Sequence, residues 1–149
     1  MPDDLFPLYL QQLYARRSQL QEKLARSRQE RDFTDDPKHQ MRLERDQVET
    51  EHALYQLELD ICQQGLREVR QRKLKRSYDK ALLLAQHLLL DQPDHRELQQ
   101  EVVELEKLEQ QEALADSYAA RLLRIVDERF KVIRHKVMAA LRTDTGRRY

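Results

Sequence analysis

The stretch MRLERDQVETEHALYQLELDICQQGLREV, residues 41–69, carries the clearest pattern in the chain. Apolar or aromatic side chains fill seven of nine positions that follow one another in alternating steps of four and three. This spacing of 3.5 residues is typical of a helix that lies along another helix. We therefore predict one helix whose packing seam consists of Met41, Arg45, Val48, His52, Tyr55, Leu59, Cys62, Leu66 and Val69.

The composition also favours long helices. Ala, Glu, Lys, Leu and Arg make up 77 of the 149 residues, and the chain contains only two glycines. A share near half, combined with heptad-like spacing, is typical of long helices and coiled coils. The expected fold class is all-α: an elongated antiparallel helical hairpin or coiled coil, then a short helix and a long C-terminal helix.

The segment DFTDDP, residues 32–37, predicts the turn of the hairpin. Asp36 suits the N-cap of the second helix, and Pro37 suits its first helical position. We expect residues 2–4 to open the first helix and its order to fade beyond Leu24. Its apolar positions are Phe6, Leu10, Leu13, Leu20 and Leu24.

A turn at residues 35 and 36 predicts which side chains face each other in the hairpin. Leu24 then lies opposite Val48, and Leu13 lies opposite Leu59. Leu10 lies opposite Cys62, Phe6 lies opposite Leu66, and Leu20 lies opposite His52. Apolar side chains meet in four of these five pairs, as short helix–loop–helix connections favour. A second apolar flank on the long helix remains for partners on another side: Leu54, Leu57 and Ile61.

The zero net charge conceals blocks of opposite sign. Residues 67–80 carry a net charge of +5, residues 96–116 carry −5, and residues 117–149 carry +6. One interpretation pairs the first two blocks within the chain. The other is a contact with an acidic partner or a phosphate backbone through Arg67, Arg70, Lys73 and Arg76, which would be non-specific and sensitive to salt. The sequence leaves open whether residues 65–77 bend at Gly65 or continue one helix.

The last third of the chain predicts a long amphipathic helix after an Asp94 cap. Its apolar stripe begins at Leu98, weakens over acidic residues, and resumes toward Phe130, Ile133 and Val137. One helix, or two that are separated near residues 114–117, fits this pattern. We predict segments 1–72, 73–94 and 95–143 and a frayed tail over 144–149, which form one folding unit.

Residues that carry chemistry do not form a recognisable site. The five histidines lack the spacing of metal ligands, and Cys62 is the only cysteine. No serine has a nearby base in the spacing of a catalytic motif. We expect no metal, no cofactor, no small-molecule substrate and no enzymatic activity. The longest apolar run is too short to span a bilayer, so we expect a soluble, cytoplasmic protein.

The segment from Tyr78 to Asp94 resembles the second helix and closing turn of a tetratricopeptide repeat. The matching features are Tyr78-Asp79-Lys80-Ala81 at the start, small residues at helical steps, and Pro93 twelve positions after the alanine. The resemblance implies a short helix that a neighbouring helix approaches closely. The preceding residues depart from the repeat, so neither an array nor its peptide-binding groove is implied.

About 50 residues of the first hairpin resemble the paired helices that accompany CHAT-type, caspase-like and nucleotide-triphosphatase modules in bacterial conflict-signalling proteins. The matching parts are Leu13-Tyr14 to Leu24, the Thr34–Pro37 turn and Met41-Arg42-Leu43-Glu44-Arg45. This resemblance implies a role in bacterial defence, as a regulatory adaptor, inhibitor or regulated partner of a larger effector.

Together these features predict a non-enzymatic helical protein–protein interaction module. The expected partner is another helical protein or a second copy, and no membrane is involved. The alternative is a helical protein that binds nucleic acid non-specifically through basic helix faces, including Arg124, Lys131, His135 and Arg142. The candidate partner-binding residues are Leu54, Leu57, Ile61, Arg67, Arg70, Lys73, Arg76, Phe130, Ile133 and Val137.

Overall fold

The computed structural model describes residues 5–145 of the backbone and the side chains of residues 5–142. The described residues form four helices and no strand, which confirms the all-α fold class. The elements are α1 (Leu8–Phe33), α2 (Pro37–Leu74), α3 (Tyr78–Asp91) and α4 (Arg96–Thr145). The predicted start at residues 2–4 and residues 146–149 of the predicted tail lie outside the described residues.

The chain divides into two compact units. The first ends at Glu106 and contains α1, α2, α3 and the beginning of α4. The second begins at Lys107 and consists, in its described part, of the remainder of α4. The sequence left open whether residues 95–143 form one helix or two helices separated near residues 114–117. The structure has one helix here, α4, without a break over residues 114–117.

Helices α1 and α2 run in opposite directions along each other. The Tyr9 hydroxyl donates to Glu68 at 3.0 Å near the start of α1, and Arg28 donates to Glu51 at 2.9 Å near its end. The expected fading beyond Leu24 is wrong, because α1 continues to Phe33. Arg28 and Arg31 in the last turns of α1 donate hydrogen bonds to Glu51 and Gln47 of α2. These polar contacts hold the end of α1 against α2 without an apolar seam.

The turn between these helices has the predicted caps. Asp36 occupies the N-cap of α2, where its carboxylate accepts a hydrogen bond from the Lys38 amide at 3.1 Å. Pro37 is the first residue of the helix. The start of α4 differs from the prediction, since its cap is His95 and not Asp94. The ring nitrogen Nδ1 of His95 accepts from the Leu98 amide at 3.3 Å.

The predicted seam of α2 is correct only in its last third. Cys62, Leu66 and Val69 are buried, whereas the seam positions from Met41 to Leu59 are exposed. Val48 and Leu59, which the prediction placed opposite Leu24 and Leu13, are exposed, so these two pairs are not confirmed. The buried face of the first part is shifted by two residues and consists of Leu43, Gln47, Thr50, Leu57 and Ile61.

Hydrogen bonds satisfy part of this buried polar face; the side-chain nitrogen of Gln47 has no hydrogen-bond partner among the described residues. The Thr50 hydroxyl donates to the Asp46 carbonyl at 2.7 Å, and the Gln47 side-chain oxygen accepts from Arg31 at 3.3 Å. A buried polar group is tolerated when it has such a partner. The prediction chose the stripe with Val48 and Tyr55 because it is the more hydrophobic one. In the structure the buried stripe is the neighbouring one, which contains Leu43, Gln47 and Thr50.

Gly65 allows α3 to approach α2 closely. A Cβ atom at this position would lie 2.5 Å from Leu88 Cδ1 and 2.8 Å from Leu88 Cδ2. Leu88 itself is buried together with Ala81, Leu84 and Ala85 of α3. Helix α2 is not interrupted at Gly65 and ends at Leu74, within the segment 65–77 for which the sequence left a bend or one helix open.

The end of α2 is a left-handed turn at Arg76, whose φ is 58°. The Ser77 amide donates to the Arg72 carbonyl, and the Arg76 amide donates to the Lys73 carbonyl, both at 3.0 Å. These two bonds define a Schellman motif, in which the left-handed residue is usually glycine. The motif ends α2 and lets α3 begin at Tyr78.

We expect Leu57→Asp to lower the free energy of unfolding by about 4 kcal/mol or more, because it places an unpaired charge in the core. Urea denaturation measures this value. The matched variant Leu83→Asp, in which the leucine is 55 % exposed, is expected to cost about 1 kcal/mol or less. Equal effects of the two substitutions would contradict the assignment of Leu57 to the core.

Gly65→Ala is expected to destabilise the protein by about 1 kcal/mol. Overpacking a core costs about 1–3 kcal/mol, which exceeds the gain of about 1 kcal/mol from the better helix propensity of alanine. In a Leu88→Ala background the clash is absent, so the same substitution is expected to stabilise. A double-mutant cycle in urea measures this coupling, and independence of the two sites would refute the close contact.

Candidate functional site

Two of the predicted partner-binding cations are occupied within the chain. Arg70 donates to Glu97 at 2.9 Å and to Glu101 at 3.0 Å. Lys73 donates to Glu101 at 2.6 Å and to Glu104 at 3.0 Å. The basic block of α2 therefore pairs with acidic residues at the beginning of α4, as the first of the two interpretations predicts.

Glu101 is the centre of this ion-pair cluster and is only 7 % exposed. Burial by itself would raise the pKa of its carboxyl group. Hydrogen bonds from Lys73 and Arg70 outweigh burial and lower the pKa below its ordinary value of 4.5. The hydrogen bonds of Arg70 to Glu101 and Glu97 raise the pKa of its guanidinium group. The cluster thus favours charged side chains that stay paired with each other.

The other two cations of the predicted set, Arg67 and Arg76, are exposed. By contrast, the predicted apolar flank of α2, Leu54, Leu57 and Ile61, is not exposed to a partner. Leu57 and Ile61 are 5 % and 4 % exposed and belong to the core. Leu54 is half-buried on the same face. This correction follows from the two-residue shift of the α2 seam, since α1 covers the flank.

The exposed apolar side chains of α2 are those that were predicted to face α1. We call Met41, Val48, Tyr55 and Leu59 the α2 stripe. Their exposed fractions lie between 37 % and 70 %. Sequence reasoning missed this surface because it assigned these residues to the hairpin. The available signal was the recurrence of a glutamate every seven residues beside the stripe, at Glu44, Glu51 and Glu58.

A longer exposed stripe follows α4 in the second unit. We call Leu123, Val126, Phe130, Ile133 and Val137 the α4 stripe; it includes the last three predicted partner-binding residues. Each of these side chains is between 52 % and 69 % exposed. Every described side chain from residue 109 to residue 142 is exposed. A second exposed row widens the apolar face: Tyr118, Leu122, Ile125 and Val132.

Basic side chains flank the α4 stripe. Residues 117–142 contain seven basic and two acidic side chains, a net charge of +5. Arg129 and Lys136 lie on one edge of the stripe, and Arg134 lies on the other edge. Asp127 forms an i, i+4 ion pair with Lys131 at 3.1 Å. This surface is suited to an apolar partner with acidic edges.

The first unit contains a cavity of about 210 Å³ beside Cys62 and Arg17. Arg17 and the Tyr14 hydroxyl both donate to Asp91 at 3.1 Å. Burial raises the pKa of the Tyr14 phenol, and the Asp91 carboxylate raises it further. Burial also raises the pKa of the Cys62 thiol, so the thiol stays protonated and is a poor nucleophile.

Among the described residues, no group of three or more His, Cys, Asp or Glu side chains is placed to hold a metal ion. In the same part of the chain, no helix has the length and apolar character needed to cross a membrane. Comparison with protein-family models, curated proteins and solved structures found no match to this chain. Function is therefore inferred from the geometry of the exposed stripes.

Glu101→Gln is expected to lower the free energy of unfolding at pH 7 by about 2 kcal/mol, because hydrogen bonds to a charged group contribute about that much. The folded-state pKa is lowered, so the stabilisation is present above pH 4.5 and is lost as the pH falls through the folded-state value. Urea denaturation from pH 7 into acid should show the free energies of unfolding of the wild type and Glu101→Gln becoming equal at low pH. The exposed control Glu112→Gln should retain the wild-type profile, and parallel curves for Glu101→Gln would contradict the assignment.

Proposed function

We propose that this chain is a helical protein–protein interaction module and not a catalyst, and that the α4 stripe is its docking surface. In this proposal the chain is a cytoplasmic adaptor, inhibitor or regulated partner of a larger protein. The likeness of about 50 residues of its first hairpin to accessory helices of bacterial conflict-signalling proteins supports a regulatory role in defence.

The observation that carries the proposal is the exposure of five apolar side chains at heptad spacing along one helix. Leu123, Val126, Phe130, Ile133 and Val137 are all more than half exposed. Heptad spacing is the pattern by which one helix packs against another. Contiguous apolar surface of this kind usually marks an interaction site on a protein.

Helix energetics support the same conclusion. Isolated helices are marginal in water, and most of their stability in proteins comes from packing of an apolar face. Burial of one large apolar side chain contributes about 1.5–3 kcal/mol. Five such side chains in the α4 stripe can therefore outweigh the cost of ordering and association. A partner helix with an apolar seam provides the matching surface.

The α4 stripe is tested by a double substitution, Phe130→Asp with Ile133→Asp. The full chain is immobilised, and proteins from the source cells, including further copies of the chain, are captured on it. We expect retention to fall by about tenfold or more, because two buried apolar contacts of about 1.5 kcal/mol each are lost.

The matched control places two aspartates on the opposite face of the same helix, Arg121→Asp with His135→Asp. We expect this variant to retain what the wild type retains. Circular dichroism should give the same helix content for both double variants, so that a loss of binding is not a loss of structure. Equal retention by wild type and the Phe130/Ile133 variant would overturn the proposal.

Exposed basic side chains along α4 favour a second candidate, non-specific binding of nucleic acid. Arg124, Lys131, Arg134 and His135 are all exposed. Such binding would weaken steeply between low and moderate salt as counterions are released. Retention on a DNA column that is lost on salt addition, and is absent in Arg124→Glu/Lys131→Glu/Arg134→Glu, would support it. Unchanged elution with that variant would exclude it.

A further inference from the structure

We propose that the partner of the α4 stripe is a second copy of this chain, whose α2 stripe packs against it in the antiparallel direction. This inference rests on the proposed function and names the partner of the same site. It rests on two exposed stripes with the same heptad spacing and with edges of opposite charge.

The α2 stripe is accessible and has the spacing of a helix-packing seam. Met41, Val48, Tyr55 and Leu59 occupy heptad positions, with Arg45 and His52 at the remaining two, and all six are exposed. The buried face of α2 packs against α1, which leaves this outer face for another helix. The α4 stripe continues the same alternation of three and four over Leu123 to Val137.

The edges of the two stripes carry opposite charges. Residues 41–60 contain two basic and six acidic side chains, a net charge of −4, against +5 for residues 117–142. Glu51 and Glu58 occupy the heptad position that Arg129 and Lys136 occupy on α4. In an antiparallel pair, side chains at this position approach each other across the seam, and such pairs set partner choice and direction.

The same charges disfavour pairing of α4 with a second α4. A parallel pair brings Arg129 near Arg134 of the other copy, and an antiparallel pair brings Arg129 near Lys136. Like charges in these positions oppose association. A partner helix with an acidic edge does not cause this repulsion. In this chain, α2 has such an acidic edge beside its exposed stripe.

One register matches both the apolar and the charged positions. Tyr55 lies against Phe130, Val48 lies against Val137, and Leu59 lies against Val126. Offset or edge-to-face contact of the two aromatic rings adds to their burial. The charged neighbours then pair as Glu58 with Arg129 and Glu49 with Arg134. Lys136 lies near Glu51, which also pairs with Arg28 within the chain.

A shift by one heptad in either direction is less favourable. One shift places Arg42 near Arg134 and Glu49 near Asp127, so that like charges meet. The other shift places Phe130 opposite Cys62, which is buried in the first unit. The register with Tyr55 against Phe130 is therefore the expected one. Because every copy provides one α2 stripe and one α4 stripe, two copies can each provide the partner of the other, and the assembly that we infer is a two-fold dimer with two such contacts.

The experiment exchanges the charges on the two edges of the full chain. One variant carries Glu49→Lys with Glu58→Lys, and the other carries Arg129→Glu with Arg134→Glu. Glu51 is left unchanged because it already pairs with Arg28 at 2.9 Å. Light scattering measures the mass of each protein in solution, at a protein concentration of about tens of micromolar and at low salt. This mass is compared with 18.0 kDa, the mass of one chain.

We expect the wild type at twice the mass of one chain and each variant alone at the mass of a monomer. An equimolar mixture of the two variants should regain the dimer, because each contact then again joins acidic and basic edges. The change in dissociation constant for each variant alone should be about tenfold or more. Melting curves near that of the wild type show that both variants are folded.

Three results would overturn the inference: a monomeric wild type, dimers of either variant that are as tight as those of the wild type, or folded variants that do not associate when mixed. The proposed function is judged separately. A monomeric wild type whose capture of other proteins depends on Phe130 and Ile133 would refute the second copy as partner and leave the interaction module standing. A dimer unaffected by Phe130→Asp with Ile133→Asp would instead refute the α4 stripe.

Discussion

The beginning of α4 is held against α2 by the buried carboxylate of Glu101, which accepts hydrogen bonds from Arg70 and Lys73. A buried carboxylate is unfavourable unless it is paired, and here two cations satisfy it. This pairing joins the basic block of residues 67–80 to acidic residues of α4. Glu49 and Glu58 at the outer edge of α2 and Arg129 and Arg134 of α4 lie outside this cluster.

The fold class and the helix caps could be predicted because they depend on local chemistry. Asp36 and Pro37 determine the start of α2 through one hydrogen bond and one fixed dihedral angle, and neither depends on distant residues. The cap at the start of α4 was less predictable, since both Asp94 and His95 can accept from the first turn. Which of the two residues becomes the cap depends on the residue at which the helix begins after the turn at Pro93.

The packing face of α2 could be predicted only in part. Two stripes with the same period lie two residues apart on this helix, and the more hydrophobic one contains Val48 and Tyr55. The other stripe is buried although it contains Thr50 and Gln47. The Thr50 hydroxyl donates to the Asp46 carbonyl one turn earlier in the helix, and the Gln47 side-chain oxygen accepts from Arg31 of α1. Only the second of these contacts joins two helices and depends on the three-dimensional structure. Phe130 and Val137 were predicted as partner-binding residues from their heptad spacing, and both are exposed.

The single cysteine gives the first unit an internal reporter of its motions. Cys62 is 4 % exposed and lies between the side chains of α1 and α3 that line the cavity beside it. A reagent that alkylates thiols reaches the sulfur only when these helices separate for a moment. The rate of alkylation therefore measures how often that separation occurs, in the way that amide exchange measures local opening. Since the second unit contains no cysteine, the signal reports on the first unit alone.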